Sequence, residues 1–299
     1  MSYKLEILYS PVYELLLSFS LYKRQTFMKY LELGSKWPEE VETTITPELK
    51  EAIKLKENLF FEDLMVLLIE QSPAQHDITS FFDWLAAMSA GEIYERVAPL
   101  LDNKITLPTD LSLQRNRSIT LLKAWNEQYF QHTDLQFLEF LKQDAEEKAN
   151  SIEKYSAKAM VQQTSRFIIE TEKVTSVCLI PAFHFQPMSL VDQFKDKLYI
   201  TYPVNNNQIQ FDGVLKMTKA LGDEKRLKIL HLLSKGAFTF TDIVSEIGMA
   251  KGNIHHHLSI LRGVGLLNIH ILDEPNTFYY STNKSFTSDL KKQIELLLS

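Results

Sequence analysis

The sequence predicts a mainly α-helical fold with some β structure: an α+β N-terminal domain over residues 1–211, then a smaller C-terminal domain over residues 212–299. Three observations carry this expectation. A chain of 299 residues, 45% hydrophobic and 23% charged, has the length for two cores and the composition of a globular protein. Apolar residues recur with a helical period up to about Arg166, after which β-branched and aromatic residues cluster from Phe167 to Val204. Glycine use is uneven as well, since of the nine only Gly34 and Gly91 precede residue 212.

Taken in order, "YKLEILY" alternates polar and apolar residues and reads as a strand over residues 3–9. Helices are expected after Thr46-Pro47, where threonine caps and proline suits the first turn, after Asp77, and after Thr109 as far as about Tyr129. Asp134 begins another, with "DAEEKANSIEKYSAKAMVQQ" as its polar continuation. The stretches "FIIETEKVTSVCLIPAFHF" and "KLYITYPV" supply two or three strands, which the first strand can join. "PVNNNQIQFDG" reads as a polar connection and sets the domain boundary between residues 205 and 212.

Composition removes several classes of function. The single Cys178 excludes an internal disulfide framework and any multi-cysteine zinc or iron-sulfur site within one chain, and it fits a reducing cytoplasm. No apolar run reaches the roughly 18 residues of a membrane span, and Glu6, Pro11 and Glu14 interrupt the N-terminal stretch, so neither anchor nor signal peptide is expected. The first 211 residues lack the clustered glycines of a phosphate-cradling or dinucleotide loop, so no cofactor is expected. A formal charge of -6 opposes a polyanion partner for the chain as a whole, yet residues 212–299 hold 11 Lys and Arg against 9 Asp and Glu, with five of the eight His.

That last segment divides at glycine into short helices and a hairpin. Asp223 caps "EKRLKILHLLS", which stops at Lys235-Gly236, and Thr239 with Asp242 forms a capping-box-like start for "TDIVSEI", which stops at Gly248. Short helices joined by a tight glycine turn suggest helix-turn-helix. In the next helix, from about Ala250, Ile254, His257, Leu258 and Leu261 form the buried stripe. Lys251, His255, Ser259 and Arg262 run down another face, with Gly252, Asn253 and His256 beside them, which suits insertion into a DNA major groove. "LLNIHIL" and "TFYYST" around "DEPN" form a hairpin wing, and "SFTSDLKKQIELLLS" closes the chain with an apolar stripe of Phe286, Leu290, Ile294, Leu297 and Leu298 suited to a dimer interface or to the other domain.

Gly222-Asp223 with "RLKILHLL", then "FTDIVSEIGMAKGNIHHHLSILRGVGLL" and the "FYY" strand, resemble the ArsR-type (arsenical-repressor-like) winged helix-turn-helix regulators over residues 213–283. The resemblance implies a bacterial, cytoplasmic, homodimeric repressor whose two recognition helices read an inverted repeat in double-stranded DNA. It implies that His257 packs the recognition helix while Lys251, Gly252, Asn253, His255 and His256 face DNA. Thr239, Ser259, Arg262 and His270 complete the candidate DNA-contacting set.

Three adjacent histidines on a helix point about 100° apart and do not converge on one ion, and no strong ligand lies three or four residues from them. The two metal sites familiar in the family are missing too: "FTFTDIVSEI" holds no Cys and "SDLKKQIELLLS" no His. No metal is therefore expected. No catalytic residue is assigned either, because His184 and Cys178 need not converge and the pairs Glu39-Glu40 and Glu146-Glu147 diverge on helices. The expected function is a DNA-binding transcription regulator controlled by a small-molecule or protein effector through residues 1–211. The alternatives are an adaptor that kept the winged fold but lost DNA binding, and a regulator with an enzymatic N-terminal domain.

Overall fold

The computed structural model describes residues 3–55, 59–102, 105–134, 136–204, 211–274 and 277–298. The N-terminal elements are β1 (Lys4–Ile7), α1 (Pro11–Arg24), α2 (Trp37–Glu42), α3 (Pro47–Lys54), α4 (Leu59–Gln71), α5 (Ile78–Ala87), α6 (Ala90–Val97), α7 (Leu111–Gln128), α8 (Gln136–Ala149) and α9 (Ala157–Ser165). Next come β2 (Phe167–Ile169), β3 (Ser176–Ala182), β4 (Leu190–Phe194) and β5 (Lys197–Pro203). The C-terminal elements are α10 (Phe211–Leu221), α11 (Glu224–Leu233), β6 (Phe238–Thr239), α12 (Phe240–Ile247), α13 (Lys251–Gly263), β7 (Leu267–Ile271), β8 (Phe278–Thr282) and α14 (Phe286–Leu298). The fold is mainly α with some β, an α+β N-terminal part followed by a winged helix-turn-helix.

Local sequence chemistry sets most helix starts. The Thr46 hydroxyl accepts the Leu49 amide at 3.3 Å ahead of α3, and the Asp77 carboxylate accepts the Ser80 amide at 2.7 Å ahead of α5. Two expectations shift. The polar run after Asp134 is two helices, because α8 ends at Ala149 and Ser156 caps a new one, α9, by accepting the Ala159 amide at 3.2 Å. The strand β4 escapes a search for apolar alternation because its central Asp192 and Gln193 are exposed on a sheet edge.

Among the described residues the strands form two four-stranded sheets. The first has the order β1-β3-β5-β4, with β3 parallel to β1 and β5, and β4 antiparallel to β5. The second has the order β2-β7-β8-β6 and crosses the expected domain boundary: β2 pairs in parallel with β7, Phe167 opposite Ile269 and Ile169 opposite Ile271. The connection at residues 205–210 lies outside the described residues. Whatever its path, the segments it joins share a core, since Ile269 and Ile271 are buried with Phe167, Ile169, Leu179 and Ile200. A helical core around Phe19, Trp125 and Phe81 fills the rest of the N-terminal part, and Ile229, Ile243, Ile254 and Leu261 fill the winged helix.

Candidate nucleic-acid interface

The helix-turn-helix is built from side-chain caps. Asp223 accepts the Arg226 amide at 2.9 Å and starts α11. Thr239 and Asp242 exchange both capping-box bonds, Asp242 N to Thr239 Oγ1 at 3.1 Å and Thr239 N to Asp242 Oδ2 at 3.0 Å, and start α12. Gly248 closes α12 at φ +71°, a left-handed conformation that costs glycine nothing and turns the chain into α13. Along α13, Ile254, His257, Leu258 and Leu261 are buried at the expected helical spacing.

The N-terminus of α13 is open to solvent. Ala250 offers no capping side chain, the first turn holds no acid, and Lys251, Gly252 and Asn253 are exposed. The Ala250 carbonyl accepts the Asn253 and Ile254 amides, leaving the first amides of the helix facing outward for an external acceptor. A cation here opposes the helix dipole by about 0.3–1 kcal/mol, so Lys251 weakens the helix it begins and suits an anion outside it. An ideal Cβ on Gly252 would meet nothing within 4 Å, which leaves the backbone open to close approach.

The remaining candidates have partners within the chain. His255 stacks on Phe27, ring centroids 6.1 Å apart and planes 18° apart, and His256 Nδ1 lies 3.0 Å from the Tyr30 hydroxyl. Burial, with Lys29 and Arg226 nearby, pushes the His256 imidazole below its ordinary range. Ser259, expected on the polar face, is buried, its hydroxymethyl group being small enough to be covered with the neighbouring stripe. Arg262, also expected there, is half-buried and donates to the Ser189 carbonyl at 3.1 Å, and burial pushes its guanidinium down. His270 is held between Glu170 and Ser281, both at 2.7 Å, because β2 brings Glu170 alongside the wing. Thr239 spends its hydroxyl on the capping box.

The histidines fan out as their spacing dictates: His255 and His256 meet residues 27–30, while His257 turns inward with its Nδ1 3.9 Å from Asp223. Among the described residues one group has metal-ligand spacing, Glu6, Glu70 and Cys178. The place for a cation there is taken by Lys197, which bonds Glu70 and lies 3.9 Å from Glu6, and Tyr199 also donates to Glu70. Burial pushes the Cys178 thiol up to about 12, the reverse of what a thiolate ligand or nucleophile needs. His184 lies elsewhere, buried among aromatic rings with its Nδ1 2.5 Å from Glu14 and its Nε2 3.3 Å from the Tyr129 hydroxyl. Glu39, Glu40, Glu146 and Glu147 are solvated.

Sequence reasoning missed the N-terminal residues that touch the winged helix. Phe27 and Tyr30 approach α13 from the 3-10 turn Met28–Tyr30, and nothing in "QTFMKY" marks it as a partner for a helix more than 220 residues away. A cleft of about 1100 Å³ lies beside this contact, with Trp37, Tyr129 and His184 on one wall and Arg262, Gly263 and Val264 at the end of α13 on the other.

Comparison with known proteins places residues 223–268 within the bacterial regulatory protein, arsR family. The transcriptional repressor SdpR of Bacillus subtilis is 37% identical over 71 residues, which span 24% of this chain and 77% of that protein. Among solved structures, NolR from Sinorhizobium fredii is 26% identical over 28% of this chain and 84% of its own, with a TM-score of 0.24. The homodimeric winged helix-turn-helix DNA-binding domain of a possible ArsR-family regulator from Mycobacterium bovis is 25% identical over 29% of this chain and 79% of its own, also with a TM-score of 0.24. Caps, glycine turn, wing and sequence identity converge on the same segment, and through it this chain belongs to the ArsR family of bacterial regulatory proteins.

Proposed function

We propose that the protein is a cytoplasmic, sequence-specific DNA-binding repressor that acts as a homodimer on an inverted repeat and is controlled through residues 1–211. The observation that carries this is the open N-terminus of α13, where Lys251, Gly252 and Asn253 present a charge, a close-approach backbone and an amide to the outside. Phosphates are bound by such helix ends and by lysine, while asparagine can read a base edge. The identity to a transcriptional repressor supports the direction of regulation.

Dimerisation is supported by apolar exposure on α10 and α14, which pack together: Phe211, Leu215, Leu297 and Leu298 are all exposed there. Control through the N-terminal part is supported by the shared sheet and by the cleft, whose wall includes the last turn of α13. A small molecule seated in that cleft would touch the recognition helix and the N-terminal core at once, and could favour one arrangement of the two.

The test is fluorescence anisotropy of the full chain with labelled duplex from upstream of its own gene, against a scrambled duplex, over a salt series. Preferential binding that weakens steeply with salt supports the reading. Absence of binding to either duplex at low salt removes it and favours the adaptor.

A further inference from the structure

We propose that residues 27–30 are an internal mask on the recognition helix, so that the conformation described above is an autoinhibited one and DNA must displace the Phe27–Tyr30 contact in order to bind. This rests on the reading of α13 as the DNA-contacting helix.

The argument is first one of space. A helix with its side chains is about 10–12 Å across and the major groove is about 12 Å wide, so a recognition helix fills the groove by itself. Phe27 stacks on His255, and the Tyr30 ring lies 6.3 Å from that of His255 and 5.7 Å from that of His256. Both histidines sit one turn or so beyond Lys251, on the part of the helix that follows its leading end into a groove. No room remains for two aromatic rings between that face and DNA.

The contact is also built rather than incidental. The Tyr30 hydroxyl meets His256 Nδ1 at 3.0 Å, and Glu32 meets Lys216 of α10 at 3.3 Å. Phe27 is held at φ +61° and Gln25, which ends α1, at φ +51°; this left-handed conformation is uncommon for a bulky side chain and is kept only where surrounding contacts demand it. Beyond His256, Arg262 donates to Ser189, and the space over Gly263 is closed by Pro187, whose Cγ lies 3.3 Å from an ideal Cβ there. The mask thus touches the helix from His255 to Gly263, against one side of the His255 and His256 rings, which stay partly exposed, and leaves residues 250–253 clear. A partly covered helix keeps the leading contacts that find DNA, while full insertion waits for release.

Apparent DNA affinity is then the intrinsic affinity multiplied by the open fraction, and weakening the mask raises it. The experiment measures anisotropy of the full chain and its variants with duplex from upstream of its own gene, together with hydrogen exchange of residues 25–32. Phe27→Ala with Tyr30→Ala is expected to tighten binding about tenfold or more, and Tyr30→Phe, which keeps the ring and the fold and removes only the hydroxyl, about threefold. In the unmodified protein, saturating DNA is expected to speed exchange in residues 25–32. Unchanged affinity in both variants, with unchanged or slowed exchange on DNA binding, overturns the mask while leaving the DNA-binding reading intact. Failure of the unmodified protein and of every variant to bind DNA at low salt overturns both.

Discussion

Replacing Lys251 by Gln is the sharpest test of which end of α13 meets DNA. The side chain is exposed, begins the helix, and carries one charge per protomer, hence two in the proposed dimer. Each phosphate neutralised on duplex DNA contributes about -0.9 to the slope of log K against log salt, so Lys251→Gln is expected to flatten that slope by about 1.8. Between 50 and 200 mM salt, a fourfold change, this makes the affinity ratio of unmodified protein to variant shrink by about twelvefold. Anisotropy titrations at four or five salt concentrations measure it directly. Lys292→Gln on α14, exposed but distant in sequence from the helix-turn-helix, serves as the control and should leave the slope alone. If Lys251→Gln binds DNA with an unchanged slope, Lys251 meets no phosphate and the open end of α13 does not lead into the groove.

Three further outcomes follow from buried or exposed groups elsewhere. Lys23 and Glu62 form an ion pair at 2.6 Å with side chains 1% and 2% exposed, so Lys23→Met strands a buried carboxylate. The expected loss is about 3–5 kcal/mol, or about 5–8 °C in Tm, largely recovered when Glu62→Leu is added, as calorimetry would record. Burial pushes the His257 imidazole below its ordinary value, with His256, Arg226 and Lys225 adding repulsion and Asp223 opposing it. The folded state therefore prefers the neutral ring: this stabilisation is complete above about pH 6.5 and is lost as pH falls from there through the depressed folded value, so denaturant midpoints for His257→Leu should change less between pH 6.5 and 5 than those of the unmodified protein. Phe211→Asp with Leu298→Asp should convert the proposed dimer to a monomer in light scattering, and a variant that keeps the mass of a dimer would move the interface away from α10 and α14.

The features legible in the sequence are those whose cause is local. Asp223, Thr239 with Asp242, and Gly248 each act on residues no more than four positions away, so the helix-turn-helix could be drawn from spacing alone. His257 was separable from His255 and His256 because a helical period assigns faces, and burial follows faces. Partners were not legible. The polarity of Ser259 and Arg262 suggested an outward face, but whether that face meets water, DNA or another part of the chain depends on what packs over it, and Ser189 lies 73 residues from Arg262. The same holds for Tyr30 on His256, and for the boundary near residue 211, where a polar connection was visible but the strand exchange across it was not.

That exchange has a consequence for how the protein is made. Ile168 pairs with His270, about a hundred residues later in the chain, and at about 5–20 residues per second the ribosome delivers the second strand about 5–20 s after the first. During that interval β2, whose neighbour in the sheet is β7, has both edges bare, and the core around Leu179 and Ile200 lacks Ile269 and Ile271. A nascent chain in this state offers a sticky strand and an incomplete interior, the features that chaperones and proteases sort on. A product cut short before residue 267 keeps both defects permanently, so the N-terminal part reaches its finished form only with α13 already attached to it.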